Sequence, residues 1–240
     1  MNINIRIVYY ILLCALFFPF PSKAQDSLKI ELCNKTKQIS FKEDSTSSFG
    51  QQNPVKFEFM PSIKKSSSEI EIRVYNFSGR SEYIRQFKFD HGTINFYNYF
   101  IKLVADKQGD EEWYNRNFRL YTYLGVTQDQ DRVYIKKIKG STITNKKQAC
   151  LLIQSLLGNH IGDIPDGKVI DKLLKDKFPG LTQHDEGTGI IELKIGNHFR
   201  NFSLPTLLYD NITTSAENQV IYLKNKKIIL EILKKMENEI

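Results

Sequence analysis

Histidines with nearby carboxylates are the residues of this chain that could support hydrolytic or metal chemistry. Three of the four histidines lie in the carboxy-terminal half, and with their acidic neighbours they are His160, Asp163, His184, Asp185, Glu186 and His198. A neutral imidazole can ligate zinc or accept a proton, and a carboxylate can orient the ring. Their spacing matches no ligand pattern, because consecutive residues such as His184 and Asp185 point in different directions. A secreted or periplasmic hydrolase using these residues is therefore an alternative hypothesis, and we assign no catalytic residue, metal ligand or cofactor.

Motifs that would indicate a specific enzyme class are absent from the sequence. It contains no G-x-S-x-G, H-E-x-x-H, G-x-G-x-x-G or Walker A pattern. Gly187 and Gly189 precede a predicted strand, whereas a phosphate-binding loop leads into a helix, so we interpret them as turn residues. No motif is specific enough to indicate a known family. We therefore favour a non-enzymatic binding or interaction protein.

Trp113 and Tyr114 are the residues that we predict to bind a ligand. Trp113 is the only tryptophan, and both residues lie in the polar segment DKQGDEEWYNRN. An amphipathic ring in a charged loop offers a protein or a sugar a large contact area at little cost in side-chain entropy. The alternative is that Trp113 folds back and covers a gap at the edge of a sheet.

A second aromatic run, INFYNYF, is interpreted as part of a helix. Apolar residues in and after this run recur at the spacing of one helical face, and they are Phe96, Tyr99, Phe100, Leu103 and Val104. Thr93 is a suitable N-cap, so the pattern predicts a helix over residues 94–105. At helical spacing these rings belong to the core rather than to a sugar-binding strip.

Cys33 and Cys150 are the cysteines that remain if the amino-terminal segment is removed. Export to an oxidising compartment would make this pair available for a disulfide. A bridge between them would close a long loop, for which a stabilisation of about 2–4 kcal/mol is typical. Two buried free thiols are the alternative, because the sequence does not show that the residues come within reach of each other.

Residues 1–24 have the composition of a secretory signal peptide. Arg6 precedes an apolar run over residues 7–20, and the small residues Ser22 and Ala24 suit cleavage after Ala24. A membrane anchor is the alternative, but a span needs about 20 apolar residues and this run is shorter and ends in prolines. We therefore expect an exported protein, periplasmic or secreted, with no transmembrane anchor in the mature chain.

The charge balance limits the class of partner. The chain has 34 Lys and Arg against 27 Asp and Glu, and removal of residues 1–24 would lower the net charge from +7 to +5. A modest positive charge favours acidic protein faces or anionic glycans, whereas the export signal and the lack of a long basic run argue against nucleic acid. The content of Ile, Lys and Asn suggests a bacterial genome. We predict an envelope protein that binds a protein or glycan, with a periplasmic inhibitor or immunity protein as a further alternative.

The hydrophobic period changes near residue 140. Before that point, strands are predicted at residues 28–32, 55–59, 70–74 and 83–89, with a hairpin of residues 118–124 and 132–138. Alternation of apolar and charged residues in these strands predicts sheets with one solvent-exposed face. After residue 140, helices are predicted at residues 145–157, at residues 169–174 and near the carboxy terminus, where Asn225 is the predicted cap.

These patterns together predict an α+β fold. We expect an antiparallel β-rich amino-terminal half followed by a helix-rich half with a short β-hairpin of residues 191–195 and 199–204. The predicted units are a signal peptide at residues 1–24, a strand-bearing arm and polar linker at 25–53, a β-rich region at 54–139 and an α+β region at 140–240. We expect the last two units to form one compact body.

Overall fold

The structure is a computed structural model that describes residues 27–43, 59–78, 81–104, 107–117, 119–126, 130–177, 183–185, 189–203, 207–209 and 221–238. The predicted signal peptide and its cleavage site lie outside the described residues. So do residues 55–58 of one predicted strand and most of the predicted linker. Strands hold 47% of the described residues and helices hold 32%.

The described strands form one large antiparallel sheet and two small ones. In chain order they are β1 (Ser27–Leu32), β2 (Lys35–Ser40), β3 (Ile70–Ser78), β4 (Ser81–Asp90), β5 (Thr93–Val104), β6 (Thr122–Val126), β7 (Arg132–Ile143), β8 (Gln183–Asp185), β9 (Gly189–Ile195), β10 (His198–Ser203) and β11 (Leu207–Tyr209). The large sheet has seven strands in the order β10-β9-β3-β4-β5-β7-β6. β1 pairs with β2, and β8 pairs with β11.

The described helices lie mainly in the carboxy-terminal half. They are α1 (Lys107–Asn117), α2 (Lys146–Gly158), α3 (Gly167–Lys177) and α4 (Ile221–Asn238). In the part of the chain that the structure describes, no helix has both the length and the apolar composition needed to cross a membrane.

The predicted division into a β-rich half and a helix-rich half is wrong. β9 pairs with β10 as the predicted hairpin does, but it also pairs with β3, with Ile195 opposite Ile70 and Ile191 opposite Val74, so both strands belong to the large sheet. These apolar residues share one face, so pairing the two distant segments buries a continuous surface. The result is mostly antiparallel β-sheet, with helices packed on it.

The predicted helix over residues 94–105 is also wrong, since residues 93–104 form the twelve-residue strand β5. Ile94 and Phe96 are buried on one face of this strand, and Tyr99 and Ile101 are buried on the other. A central strand buried on both faces loses the polar alternation that identifies a strand, and its remaining apolar positions imitate a helical period. Thr93, predicted to cap a helix, instead pairs with Asp90 beside the turn between β4 and β5.

Two further local predictions, the loop around Trp113 and the cap at Asn225, are wrong. The predicted cap at Asn145 is confirmed. The segment around Trp113, predicted as a loop, is the helix α1. Asn225, predicted as a cap, is buried inside α4, which begins at Ile221. Asn145 does cap α2, since its side-chain oxygen accepts a hydrogen bond from the backbone N–H of Gln148 at 3.2 Å.

The main core lies between one face of the large sheet and the layer of helices. Sheet residues such as Ile72 and Leu193 pack in the same cluster as Leu156 of α2 and Leu233 of α4. The β1–β2 hairpin adds Leu32 to this cluster. The main core therefore joins residues that lie far apart in the sequence.

Cys33 and Cys150 lie at disulfide distance, which is consistent with the predicted bridge. Their Cα atoms are 6.1 Å apart, within the normal range for a disulfide, and 117 positions separate them in the sequence. Cys33 occupies the turn between β1 and β2 with a φ of 56°, and Cys150 lies in α2. The bridge joins the amino-terminal hairpin to the helix layer.

Candidate functional site

Trp113 packs against the end of the large sheet. Its ring centroid lies 4.8 Å from that of Tyr121 and 4.9 Å from that of Tyr134, a residue of β7. Trp113 is half-buried, as expected of a residue that covers the end of a sheet. Tyr114, the next residue, is exposed, and its ring lies 5.7 Å from that of Tyr134.

The aromatic residues continue across the same face of the sheet. Tyr123 lies directly opposite Tyr134, and their ring centroids are 5.5 Å apart. Tyr83 of β4 lies opposite Phe100 of β5, and these rings stack at 6.3 Å. Cross-strand neighbours share a face, so the strand register places all four rings on one side. We call this set the aromatic surface, and it comprises Tyr83, Phe100, Trp113, Tyr114, Tyr123 and Tyr134.

Several rings of the aromatic surface are open to solvent. Tyr83 and Phe100 are each 38% exposed, and Tyr123 is 49% exposed. Further along the same face, Phe87 and Phe96 are almost completely buried beneath the helices. The helix layer therefore covers only part of this face, and strands fixed in a seven-stranded sheet hold the exposed rings in place.

Cations lie beside the exposed rings. The guanidinium carbon of Arg85 is 5.8 Å from the centre of the Tyr83 ring, and Arg85 also pairs with Glu237 of α4 at 3.3 Å. Lys136 of β7 lies directly opposite Phe100. Rings with adjacent cations can contact apolar groups and neutralise negative charge in the same partner.

No family model, curated protein or solved structure matches this chain.

The carboxy-terminal histidines pair with separate carboxylates. His160 Nδ1 is 3.2 Å from Asp163 Oδ1 on an exposed turn, and His198 Nδ1 is 3.5 Å from Glu43 Oε2. His184 lies in β8, and its side chain is outside the described part of the structure. Among the described residues there is no group of three or more His, Cys, Asp or Glu side chains that could hold a metal ion.

A polar cleft beside the disulfide brings together residues that the sequence analysis did not connect. It has a volume of about 350 Å³ and lies between the β1–β2 hairpin, the β4–β5 turn and the start of α2. Glu31, Glu69, His91 and Lys146 line it, and His91 Nδ1 lies 2.9 Å from Glu69 Oε1. His91 belongs to a turn in which it and Gly92 have φ angles of 50° and 84°, as a tight hairpin requires. The dipeptide His-Gly between two strands was the available signal, and the helix predicted from residue 94 obscured it.

A buried polar network occupies the sheet face opposite the helices. Glu71 accepts hydrogen bonds from Arg73 Nε and Gln86 Nε2, both at 2.6 Å, and a further one from the hydroxyl of Ser66. Glu71 and Arg73 are almost completely buried. The sequence predicted that these alternating charges face solvent, and that prediction is wrong because residues 59–69 cover the part of this face around Glu71, with Ser66 bonded to Glu71 and Phe59 packed on Tyr99. Lys194 Nζ donates to the carbonyl oxygen of Ser68 at 2.9 Å and so helps to attach this covering segment.

The network alters the pKa values of its members. Burial alone would raise the pKa of Glu71, but the charge of Arg73 and hydrogen bonds from Ser66 and Gln86 lower it overall. Burial, followed by the nearby charge of Glu192, raises the pKa of Tyr75 well above its ordinary value. The hydroxyl of Tyr75 donates a hydrogen bond to Glu192 Oε2 at 2.6 Å. These contacts pair buried charges within the protein, so we interpret the network as part of the fold.

Proposed function

We propose that this protein is an exported, non-enzymatic binding protein that recognises an acidic surface on a protein partner through its aromatic surface. The observation that carries the proposal is the pair Tyr83 and Phe100. Their rings stack on neighbouring strands and each remains 38% exposed. Export is supported by the sequence of residues 1–24 and is consistent with the pairing of Cys33 and Cys150.

The residue types of the aromatic surface favour a protein partner over a glycan. Tyr, Trp and Arg are the residues most enriched among those that dominate the energy of protein interfaces. Tyr83 and Arg85 are side by side on the same strand face, and Trp113 packs on Tyr134 of the same surface. Fixing a tyrosine costs little rotamer entropy because few side-chain torsions are lost.

The positive charge of β7 favours an acidic partner. The sequence from Arg132 to Lys139 along β7 contains four basic residues and no acidic one. Lys136 lies on the aromatic face, opposite Phe100. A cation near an apolar contact attracts a negatively charged surface and increases the rate of association.

Site-specific photo-cross-linking in the producing cell tests this proposal. A benzophenone amino acid at Tyr123 should form an adduct of one discrete mass with another protein. The same group at Leu151, which is 58% exposed on the outer side of α2, is the matched control and should form none. Substituting both Tyr83 and Phe100 by alanine should remove the adduct formed from position 123.

The proposal is wrong if position 123 yields no protein adduct, or if positions 123 and 151 yield the same adducts. An adduct that survives the alanine substitutions would also contradict it, since the partner would then bind elsewhere. An adduct with a glycan at position 123 would show that the partner is a carbohydrate and not a protein.

A further inference from the structure

The outer edge of β7 is only partly occupied by β6. β7 extends over twelve residues, but β6 pairs only with the part of β7 from Arg132 to Ile135. In the described parts of the chain, no strand pairs with the outer edge of β7 over residues 136–143. Such an edge presents backbone N–H and C=O groups that can pair with an additional strand.

The side chains of residues 136–139 along this edge alternate between the two faces of the sheet, and a bulge shifts the register with β5 between Lys139 and Thr142. Lys137 lies opposite Tyr99, and Lys139 lies opposite Tyr97, so both lysines are on the face that bears these tyrosines. Lys137 Nζ is 4.9 Å from the centre of the Tyr97 ring. Ile138 points to the opposite face, where the register places it beside the aromatic surface, and it is 39% exposed.

We propose that the partner docks by adding an extended segment to β7 along residues 136–143, with acidic and apolar side chains alternating in that segment. This inference rests on the proposed function and names the form in which the partner binds. Acidic residues of the added strand would lie beside Lys137 and Lys139. Apolar residues would lie beside Ile138 on the face of the aromatic surface, where Lys136 of β7 separates the added strand from Phe100. Period-two alternation is what makes one strand match both environments.

The lysines also explain why this edge would select such a partner. Two copies of the edge repel each other if their lysines come together, because like charges opposite each other in a sheet are destabilising. Lysine is a common residue for protecting an edge strand from self-association. An acidic strand is attracted by the same lysines. The lysines therefore exclude a second copy of this edge and favour an acidic partner.

A synthetic peptide with alternating Glu and Val residues and blocked termini is the probe for this mode of binding. We expect saturable binding by calorimetry, with slowed amide hydrogen exchange confined to residues 136–143 and the strands beside them. A peptide of the same composition, with its Glu and Val residues in separate blocks, is the control and should bind at least about tenfold more weakly, because only the alternating order matches both faces. Two further versions carry N-methyl groups on the Glu amides or on the Val amides, so that each blocks one edge of the strand, and one of the two should lose binding.

Charge reversal provides the second test. Lys137→Glu with Lys139→Glu should weaken binding of the Glu–Val peptide about tenfold or more, because two attractive cross-strand pairs become repulsive. The same variant should gain affinity for a peptide alternating Lys and Val. Lys172→Glu with Lys175→Glu on the exposed side of α3 is the matched control and should change neither affinity.

The outcomes separate this inference from the proposed function. If position 123 cross-links to a protein but no alternating peptide binds, docking along β7 is wrong while binding by the aromatic surface stands. Equal binding of the alternating, block and N-methylated peptides would also overturn strand addition. If neither the cross-link nor peptide binding is found, both proposals are wrong.

Discussion

Arg73 donates a hydrogen bond from Nε to Glu71 Oε1 at 2.6 Å, and both side chains are almost completely buried on the same face of β3. Residues two apart in a strand share a face, so the sequence alone places the two charges side by side. Neither charge could be buried alone without a large desolvation cost. Arg73 also lies 3.9 Å from Glu192 Oε2, which makes it the cation between two buried carboxylates.

Replacing Arg73 by methionine should destabilise the fold by about 3–5 kcal/mol, because it removes the buried guanidinium between Glu71 and Glu192. It leaves beside Glu71 the part-exposed Lys88, whose Nζ is 3.8 Å from Glu71 Oε2. Urea unfolding followed by circular dichroism would measure this change. Lys175→Met on α3, which removes an exposed cation, is the control and should change stability by about 0.5 kcal/mol or less. A similarly small effect for Arg73→Met would contradict the role given to the ion pair.

Acid should remove the stabilisation that Glu71 provides. Burial opposes ionisation of Glu71, but Arg73 and the hydrogen bonds to the carboxylate lower its pKa overall from an ordinary value of 4.5. A group with a lowered pKa in the folded state contributes stability above its unfolded pKa, and that contribution is lost as the pH falls. Glu71→Gln should therefore be less stable than the wild type at neutral pH, with a flatter decline below pH 4.5. Equal slopes in urea unfolding across this pH range would contradict the prediction.

High pH should destabilise the fold through ionisation of Tyr99, whose hydroxyl donates a hydrogen bond to Gln86 at 3.0 Å. Burial raises the pKa of Tyr99 from 10.0 to about 12. A raised pKa in the folded state means that the stabilisation is fully present below pH 10 and declines as the pH rises towards 12. Tyr99→Phe should reduce this alkaline decline in the urea midpoint, and Tyr114→Phe, at an exposed position, should leave it unchanged. An identical decline in all three proteins would count against the effect.

Breaking the link between Cys33 and Cys150 should lower stability by about 2–4 kcal/mol. Replacing both cysteines by serine and measuring urea unfolding gives this value, and non-reducing peptide mapping should recover the cross-linked pair from native protein. Two alkylatable thiols in protein isolated from its native compartment would show that the bridge does not form there.

Local patterns predicted the elements whose signals are confined to a few residues. Asn145 followed by Gln148 correctly indicated the start of α2, and Ile191, Leu193 and Ile195 correctly indicated β9. The pairing of β9 with β3 depends on contacts between residues more than a hundred positions apart, and no local pattern reports it. That pairing is what made the predicted division into halves wrong.

The sequence also predicted only part of the candidate site, because strand pairing brings its residues together. Trp113 and Tyr114 were identified as single residues, but both contact the ring of Tyr134 on β7, and β4, β5 and β6 contribute the other rings of the same face. Tyr83 and Phe100 were assigned to a strand and to a helix core, and only the register of β4 with β5 brings them together on an exposed face. The charges at Glu71 and Arg73 looked solvent-exposed because the alternation within β3 does not report that the preceding segment folds back over this face, where Ser66 donates a hydrogen bond to Glu71.

The affinity of the cross-linked partner for surface variants tests the account most directly. Once that partner is purified, Tyr83→Ala and Phe100→Ala should each weaken binding by about 1–3 kcal/mol, the range expected for aromatic residues at the centre of an interface. Leu151→Ala, which truncates an exposed apolar residue on α2, should leave the affinity unchanged. Wild-type affinity in both aromatic variants, with each protein folded, would contradict binding through the aromatic surface.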